Sequence, residues 1–370
     1  MRFGICLQAL NSADWKRVIA KDWSQPPLVP DHVLWEENIH LGLLAEPLGF
    51  DSMWTTEHHF GPHCMEPNPL ELLAYFAGAT KTIDFGTMVI VLPWHHPLQV
   101  AEEIALFDIL LQGRKLSVGV GRGLGQSEFA GFGIDMAESR GRFVESIDIL
   151  KLALTQERFS YDGEFYQIPE TSTRPRPRSD RLIEDMLGVF TSPQSLTTVA
   201  EAGLNPMFVA AQSADVIRNQ VAEFNGLRSG LGLPAAQPIV HQWVYCTETE
   251  EEARTMGKRY ITQLGVETNH HYNLGDAAHW DGIKGYEYQL EQAKNGLIGN
   301  MDLHLVGTPE QCIERVQRLR EITNCREIVG LFHFGGMSIE TAEKSMRLFA
   351  EGVMPTIRAM DAEPRAAATA

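Results

Sequence analysis

Short apolar runs of strand length alternate with amphipathic stretches of helix length from one end of this 370-residue chain to the other. Strands are expected at 2–8, 51–58, 83–92, 115–120, 185–190, 206–210, 238–246 and 327–334. Helices are expected at 33–48, 69–80, 97–111, 138–157, 193–203, 213–229, 250–264, 308–322 and 338–357. Within 97–111, Val100, Ile104, Phe107 and Leu111 recur at steps of 4, 3 and 4, the stripe of a half-buried helix. Strands apolar on both faces, each followed by a helix, imply parallel pairing with both sides of the sheet covered. Eight such units without a composition break favour a closed (β/α)8 TIM barrel over an open sheet. The expected organisation is one α/β domain over 1–358, with a polar, aromatic late insertion at about 265–300 and a flexible C-terminal tail at 359–370.

Composition narrows the partners. The chain is 44% hydrophobic, enough for a large core, and carries a formal charge of −17. A phosphate backbone or an anionic membrane surface calls for a basic face, so neither nucleic acid nor membrane is expected. No 18-residue apolar run is present, and the N-terminal apolar run is too short for a signal peptide. The five cysteines show no CxxC spacing, which fits a reducing cytoplasm.

In a barrel of this kind chemistry sits at the C-terminal strand ends. "WTTEHHF" at 54–60 puts Glu57, His58 and His59 at such an end. Three ionisable groups there either close the strand by hydrogen bonding or do acid–base work. A metal is not expected: His59 and His63 are four apart, but Gly61 and Pro62 between them rule out a helical pair, and the HExxH order is missing.

"GVGRGLGQSEF" at 119–129 alternates glycines after a strand but fails the dinucleotide spacing, and no clean helix is expected directly after it. It reads as backbone that must approach a flat ligand closely, at Gly121, with Arg122 held in the loop. Arg140 and Arg142 follow; a guanidinium fork suits phosphate, whereas pairing with surface carboxylates is the simpler fate for Arg142. In "TSPQS", Ser192 is a natural N-cap, Pro193 fits the first helical turn and Ser195 falls three residues on. Free backbone N–H groups and two hydroxyls there could form an anion site, or simply a cap. "TPEQ" at 308 reads as a capping box. His95 and His96 are expected to be exposed loop residues, and Trp54, Met65 and Trp94 to line an apolar site.

In order along the chain, "LGFDSMWTTEHHF", "NPLELLAYFAGAT", "FGTMVIVLPWHHPLQVAEEIALFD", "QGRKLSVGVGRG", "EFAGFGIDMAESR", "LVGTPEQCIERV" and "LFAEGVMPTI" resemble the bacterial luciferase-like flavin monooxygenases over about residues 1–357. The resemblance implies the same (β/α)8 barrel and an FMNH2-dependent monooxygenase. FMN, reduced by a separate NAD(P)H:flavin reductase, would react with O2 through a C4a-(hydro)peroxyflavin and oxygenate a small, mostly apolar organic substrate. The outer helices of such a barrel could support a homodimer. His58 matches the family's catalytic histidine, with Glu57 and His59 orienting it. Met88 and Val89 match a segment with a non-proline cis peptide behind the flavin ring. Arg122, Arg140, Ser192 and Ser195 match residues around the FMN phosphate. Luciferase proper has small residues where Met88 and Val89 stand and a larger one where this chain has Gly125, so light emission is not expected. The alternatives are a deazaflavin (F420)-dependent oxidoreductase of the same superfamily and a non-catalytic flavin-binding subunit, which would be expected to lose His58.

Overall fold

The computed structural model describes residues 1–209, 214–295 and 304–362. The strands, numbered in chain order, are β1 (Arg2–Leu7), β2 (Ser52–Thr55), β3 (Asp84–Thr87 continuing in Ile90–Val91), β4 (Leu116–Ser117 continuing in Gly119–Gly121), β5 (Phe159–Asp162), β6 (Gln167–Thr171), β7 (Leu187–Val189), β8 (Asn205–Val209), β9 (Ile239–Cys246), β10 (Leu305–Gly307) and β11 (Glu327–Leu331). Eight of them pair in parallel in the order β1, β2, β3, β4, β7, β8, β9, β11, and β11 pairs back onto β1. The barrel is closed, as the eight alternating units favour.

The antiparallel pair β5–β6 accounts for the extended stretch between the helix at Ser139–Thr155 and β7. β10 adds a short parallel neighbour to the upper end of β9 that the sequence pattern does not announce.

The barrel's interior is filled by Cys6, Trp54, Met88, Leu187, Met207, Ile239 and Val329, contributed by six strands and by residue 88 at the break in β3. Outward-facing side chains meet the surrounding helices in one large core. The stripe in 97–111 is realised: Val100, Ile104, Phe107 and Leu111 are all buried. Trp54 corrects the reading that placed it at an apolar site. Its indole packs over Gly4 and Gly86 inside the barrel, and its N–H donates to Ser52 Oγ at 2.7 Å near the N-terminal end.

Where β3 and β4 meet, Thr87 Oγ1 donates to the Gly119 carbonyl at 2.8 Å and accepts from Gly119 N–H at 2.9 Å. A Cβ at Gly119 would lie 2.1 Å from the Thr87 carbonyl oxygen, so only glycine permits this approach.

The late insertion begins later than expected. The helix Lys258–Tyr272 runs through 265–272, burying Tyr260, Ile261, Leu264, Glu267 and His271 on one face. Two of those positions are ionisable, which disguises the stripe as polar excursion. Asn273, with φ +51°, ends the helix in the left-handed conformation that Asn tolerates. The chain then forms short helices at Ala277–Trp280 and Glu287–Asn295. Residues 296–300 of the expected insertion lie outside the described residues, as do Ala210 and Ser213 at two element ends. The tail expected from 359 starts as helix, since Met354–Ala362 continues to residue 362; residues 363–370 lie outside the described residues. No helix among the described residues is long and apolar enough to cross a membrane.

Candidate active site

The C-terminal end of β2 delivers Glu57, His58 and His59 to the barrel mouth, and they divide into two systems. Glu57 is buried and accepts three hydrogen bonds: Val91 N–H at 2.8 Å, His95 Nε2 at 2.6 Å and His59 Nε2 at 3.1 Å. Burial opposes its ionisation, but the bonds from His59 and His95 and the Val91 amide outweigh it and hold the carboxyl below its ordinary range. Glu57 thus ties the end of β2 to β3. His95, expected as an exposed loop residue, is its partner; His96 is exposed and its Nδ1 accepts from Leu98 N–H. Burial pushes the His95 imidazole down, and the hydrogen bond to Glu57 more than restores it, leaving its pKa raised.

His58 faces a different set. Its Nδ1 lies 3.0 Å from Glu128 Oε1, and its Nε2 lies 3.0 Å from the Tyr272 hydroxyl. The same Glu128 oxygen accepts the His59 backbone N–H at 2.8 Å. The groups hydrogen-bonded to the His58 ring are thus Glu128 and Tyr272, and Glu57 and His59 bond to each other instead. Glu128 is fully buried; burial opposes its charge, yet the imidazoles of His271 and His58 hold its pKa down to about 2. Burial pushes the Tyr272 phenol well above its ordinary value, with the Glu128 charge adding to it. His63 and His271 stack at 4.5 Å between ring centres beside His58. Burial, and then each other's and His58's proximity, hold the His63 pKa well below normal.

The loop that carries these groups holds two non-glycine residues in left-handed backbone, Phe60 (φ +62°) and Cys64 (φ +49°), the kind of strain that accumulates at functional sites. The peptide between Met88 and Val89 is cis.

Glu128 stands on a helix, Gln126–Phe132, that opens straight after the glycine-rich loop where none was expected. The glycines at 121, 123 and 125 mask its start, and neither Glu128 nor Tyr272 carries any spacing signal that would have singled it out.

The other half of the mouth is cationic. Arg122 donates from Nη2 to the Gly285 carbonyl at 3.2 Å and from Nη1 to Ser139 Oγ at 3.4 Å, and its guanidinium lies 3.9 Å over the Tyr286 ring. Arg140 donates to Thr198 Oγ1 at 3.0 Å and Gln194 Oε1 at 3.2 Å. Thr198 and Gln194 stand on the helix Pro193–Glu201, where Ser192 caps as expected, its Oγ accepting Ser195 N–H at 3.2 Å. Arg122 is pushed down by burial, and the charge of Arg140 adds to that shift. Among the described residues neither guanidinium makes an ion pair with a carboxylate; Arg142 does, with Glu138 at 2.8 Å. Two neighbouring cations, free of carboxylate ion pairs among the described residues and close to a helix N-terminus with two hydroxyls, are groups of the kind that can hold an anion.

Above it lies an apolar cluster that includes Val91, Trp94, Phe129, Met136, Trp280 and Tyr286. The insertion supplies the last two, so it covers the loop at 122–136.

A closed (β/α)8 barrel with paired imidazoles and carboxylates, an anion corner and an apolar wall at one mouth has the features of a flavin-dependent monooxygenase. The chain belongs to that class: the luciferase-like monooxygenase family model matches residues 1–323. Its similarity to the alkanal monooxygenase alpha chain of the Kryptophanaron alfredi symbiont is 27% identity over 361 residues, covering 90% of this chain and 96% of that one. Two solved structures share the fold. The oxygenating constituent of 3,6-diketocamphane monooxygenase from the CAM plasmid of Pseudomonas putida, a type II Baeyer–Villiger monooxygenase in complex with FMN, matches with a TM-score of 0.68 and 19% identity over 96% of this chain and 98% of that chain. An F420-dependent secondary alcohol dehydrogenase matches with a TM-score of 0.69 and 14% identity over 96% of this chain and 99% of that chain.

Proposed function

We propose that this chain is an FMNH2-dependent monooxygenase that places one atom of O2 into a small, mostly apolar organic molecule, with FMNH2 delivered by a separate NAD(P)H:flavin reductase. The supporting observation is the meeting, at one barrel mouth, of two arginines without carboxylate partners among the described residues and a histidine hydrogen-bonded to Glu128 and Tyr272. Arg122, Arg140, Ser192 and Ser195 would hold the FMN phosphate, and the residues present fit it, being cations and hydroxyls free of carboxylate ion pairs. Gly121 and the Met88–Val89 segment would back the ring; a Cβ at Gly121 would come within 2.6 Å of Val89 Cγ2, so a side chain there would push that segment away. Reduced FMN, when bound, supplies the two electrons and two protons that, with substrate and O2, leave as oxygenated product, oxidised FMN and water.

The chain's own part is proton handling and exclusion of water. Ionised Glu128 accepts the His58 Nδ1–H, which assigns the exchangeable lone pair to Nε2. The Tyr272 phenol, kept neutral by burial, sits on that nitrogen and can pass a proton to it or take one back. The apolar cluster under the insertion suits a substrate with little polarity.

The test supplies FMNH2 from a flavin reductase, 18O2 and a probe panel of decanal and bicyclic ketones. One 18O atom per product molecule is expected. Absence of label across the panel, together with substrate reduction by F420H2, would replace this reading with hydride transfer.

Arg122→Ala should weaken FMN binding by about 10–100-fold, the scale of a lost hydrogen bond to a charged group. Riboflavin, which lacks the phosphate, should change by less than about threefold on the same reasoning. Fluorescence titration of both flavins checks this; equal losses would remove the phosphate assignment.

A further inference from the structure

Three polar atoms at the His58 corner are buried without a hydrogen-bond partner: Glu128 Oε2, His271 Nε2 and His63 Nδ1. Glu128 is fully buried, and His271 and His63 are more than nine-tenths buried. Such orphans cost about 1–3 kcal/mol each, and a ligand between Glu128 and His271 would satisfy two of them at once. Glu128 Oε2 and His271 Nε2 face each other at 3.5 Å, and Glu128 Oε1 and His58 Nδ1 at 3.0 Å. One ligand atom from each of His58, Glu128 and His271 lies within 4.8 Å of the others. Two ligands on a tetrahedral ion with bonds of roughly 2.0–2.1 Å stand about 3.3–3.4 Å apart; the two separations, to the two Glu128 oxygens, bracket that value, and small side-chain shifts would bring one oxygen and both imidazoles onto a single ion.

We propose that His58, Glu128 and His271 bind one borderline divalent transition-metal ion, of the zinc and cobalt(II) kind, and that occupancy inhibits the enzyme. The inhibition rests on the proton-carrying role of His58 given above; the binding does not.

Two neutral imidazoles and one carboxylate favour such an ion over magnesium or calcium, which prefer oxygen ligands. The surroundings suit it as well. Tyr272 hydroxyl can donate to His58 Nε2 in the metal-free state, and can accept Nε2–H once Nδ1 turns from donor to ligand. A partner that fixes the outer ring nitrogen is what metal-bound imidazoles have. His63, stacked on His271, can supply a fourth ligand through its unpartnered Nδ1 after a ring shift, or leave that place to water. With His58 Nδ1 on the ion, Nε2 keeps its proton and exchange at that atom stops.

The experiment titrates cobalt(II) into the flavin-free full chain and follows the visible absorption of the ion. One equivalent with the strong absorption of a four-coordinate centre is expected, displaced by zinc. His271→Gln should weaken binding by at least about 100-fold, while exposed His32→Gln should not alter it. Zinc-edge absorption spectroscopy on the wild-type chain, which does not depend on any variant folding, should count at least two imidazole nitrogens. Zinc should inhibit turnover, EDTA should restore it, and the inhibition constant of His271→Gln, referred to its own EDTA-treated rate, should move with its affinity. No stoichiometric cobalt binding, fewer than two imidazoles on the ion, or equal affinity in His271→Gln would overturn the proposal and leave the monooxygenase reading intact. Cobalt binding with no oxygenation in EDTA would do the reverse.

Discussion

His58→Ala is expected to lower oxygenation by about 10²–10⁴-fold, the range of a lost acid–base group, while FMN affinity stays within about threefold. The separation of the two readouts follows from the geometry. His58 hydrogen-bonds to Glu128 and Tyr272, whereas the proposed phosphate donors are Arg122, Arg140, Ser192 and Ser195. The variant also strips Glu128 of one stabilising imidazole, so a melting temperature belongs beside the rates. Steady-state turnover and flavin titration on the same preparation check the result. Full turnover in a folded His58→Ala chain would end the catalytic assignment and shift attention to His59 and His95 on Glu57.

Acidification from pH 7 to 5.5 is expected to destabilise the chain by something on the order of 1 kcal/mol. Burial depresses the pKa of His63, His241, His271, His304 and His333, to about 4 for His241 and about 3 for His304. A histidine depressed in the folded state binds its proton more readily when unfolded, so it stabilises above the unfolded value of about 6.5, and that contribution is lost as pH falls below it. His241 and His304 together account for roughly 2–3 kcal/mol of the loss. Glu66 acts in the opposite sense. Burial raises its carboxyl to about 8, so its contribution grows as pH falls through this window, by about 2 kcal/mol. Glu267 and His95, whose pKa values are also raised, act in the same sense as Glu66, and the depressed His63, His271 and His333 add to the loss on the other side. Urea unfolding at the two pH values decides it: stability that is level or rising on acidification would mean the buried imidazoles do not dominate.

The barrel was legible because its two periodicities are strong and repeated, and because no break in composition interrupts them. The helix cap at Ser192 and the capping box at Thr308 were legible for a local reason: each is set by residues three apart. The failures lie where tertiary contact overrules pattern. His95 follows a short 3-10 turn and is drawn inward by a carboxylate 38 positions earlier. The helix through His271 and Tyr272 buries Glu267 and His271 where apolar residues would have betrayed it. Glu128 reaches His58 across 70 residues of chain, from a helix whose start is hidden among glycines. A hydrogen-bonded group assembled from three separate segments leaves no trace in spacing, so of its members only the histidine that the family resemblance marks could be named in advance.

Closure of the eight strands has a further consequence, for solubility during handling and folding. Every barrel strand has a neighbour on both sides, so none offers an unpaired row of amides and carbonyls to another molecule. Among the described residues the free edges are confined to three-residue β10 and to the hairpin of β5 and β6, four and five residues long. Segments so short make poor templates for cross-molecule sheet growth. An apolar parallel sheet of this size would be an aggregation hazard if left open, and here the ring itself removes it.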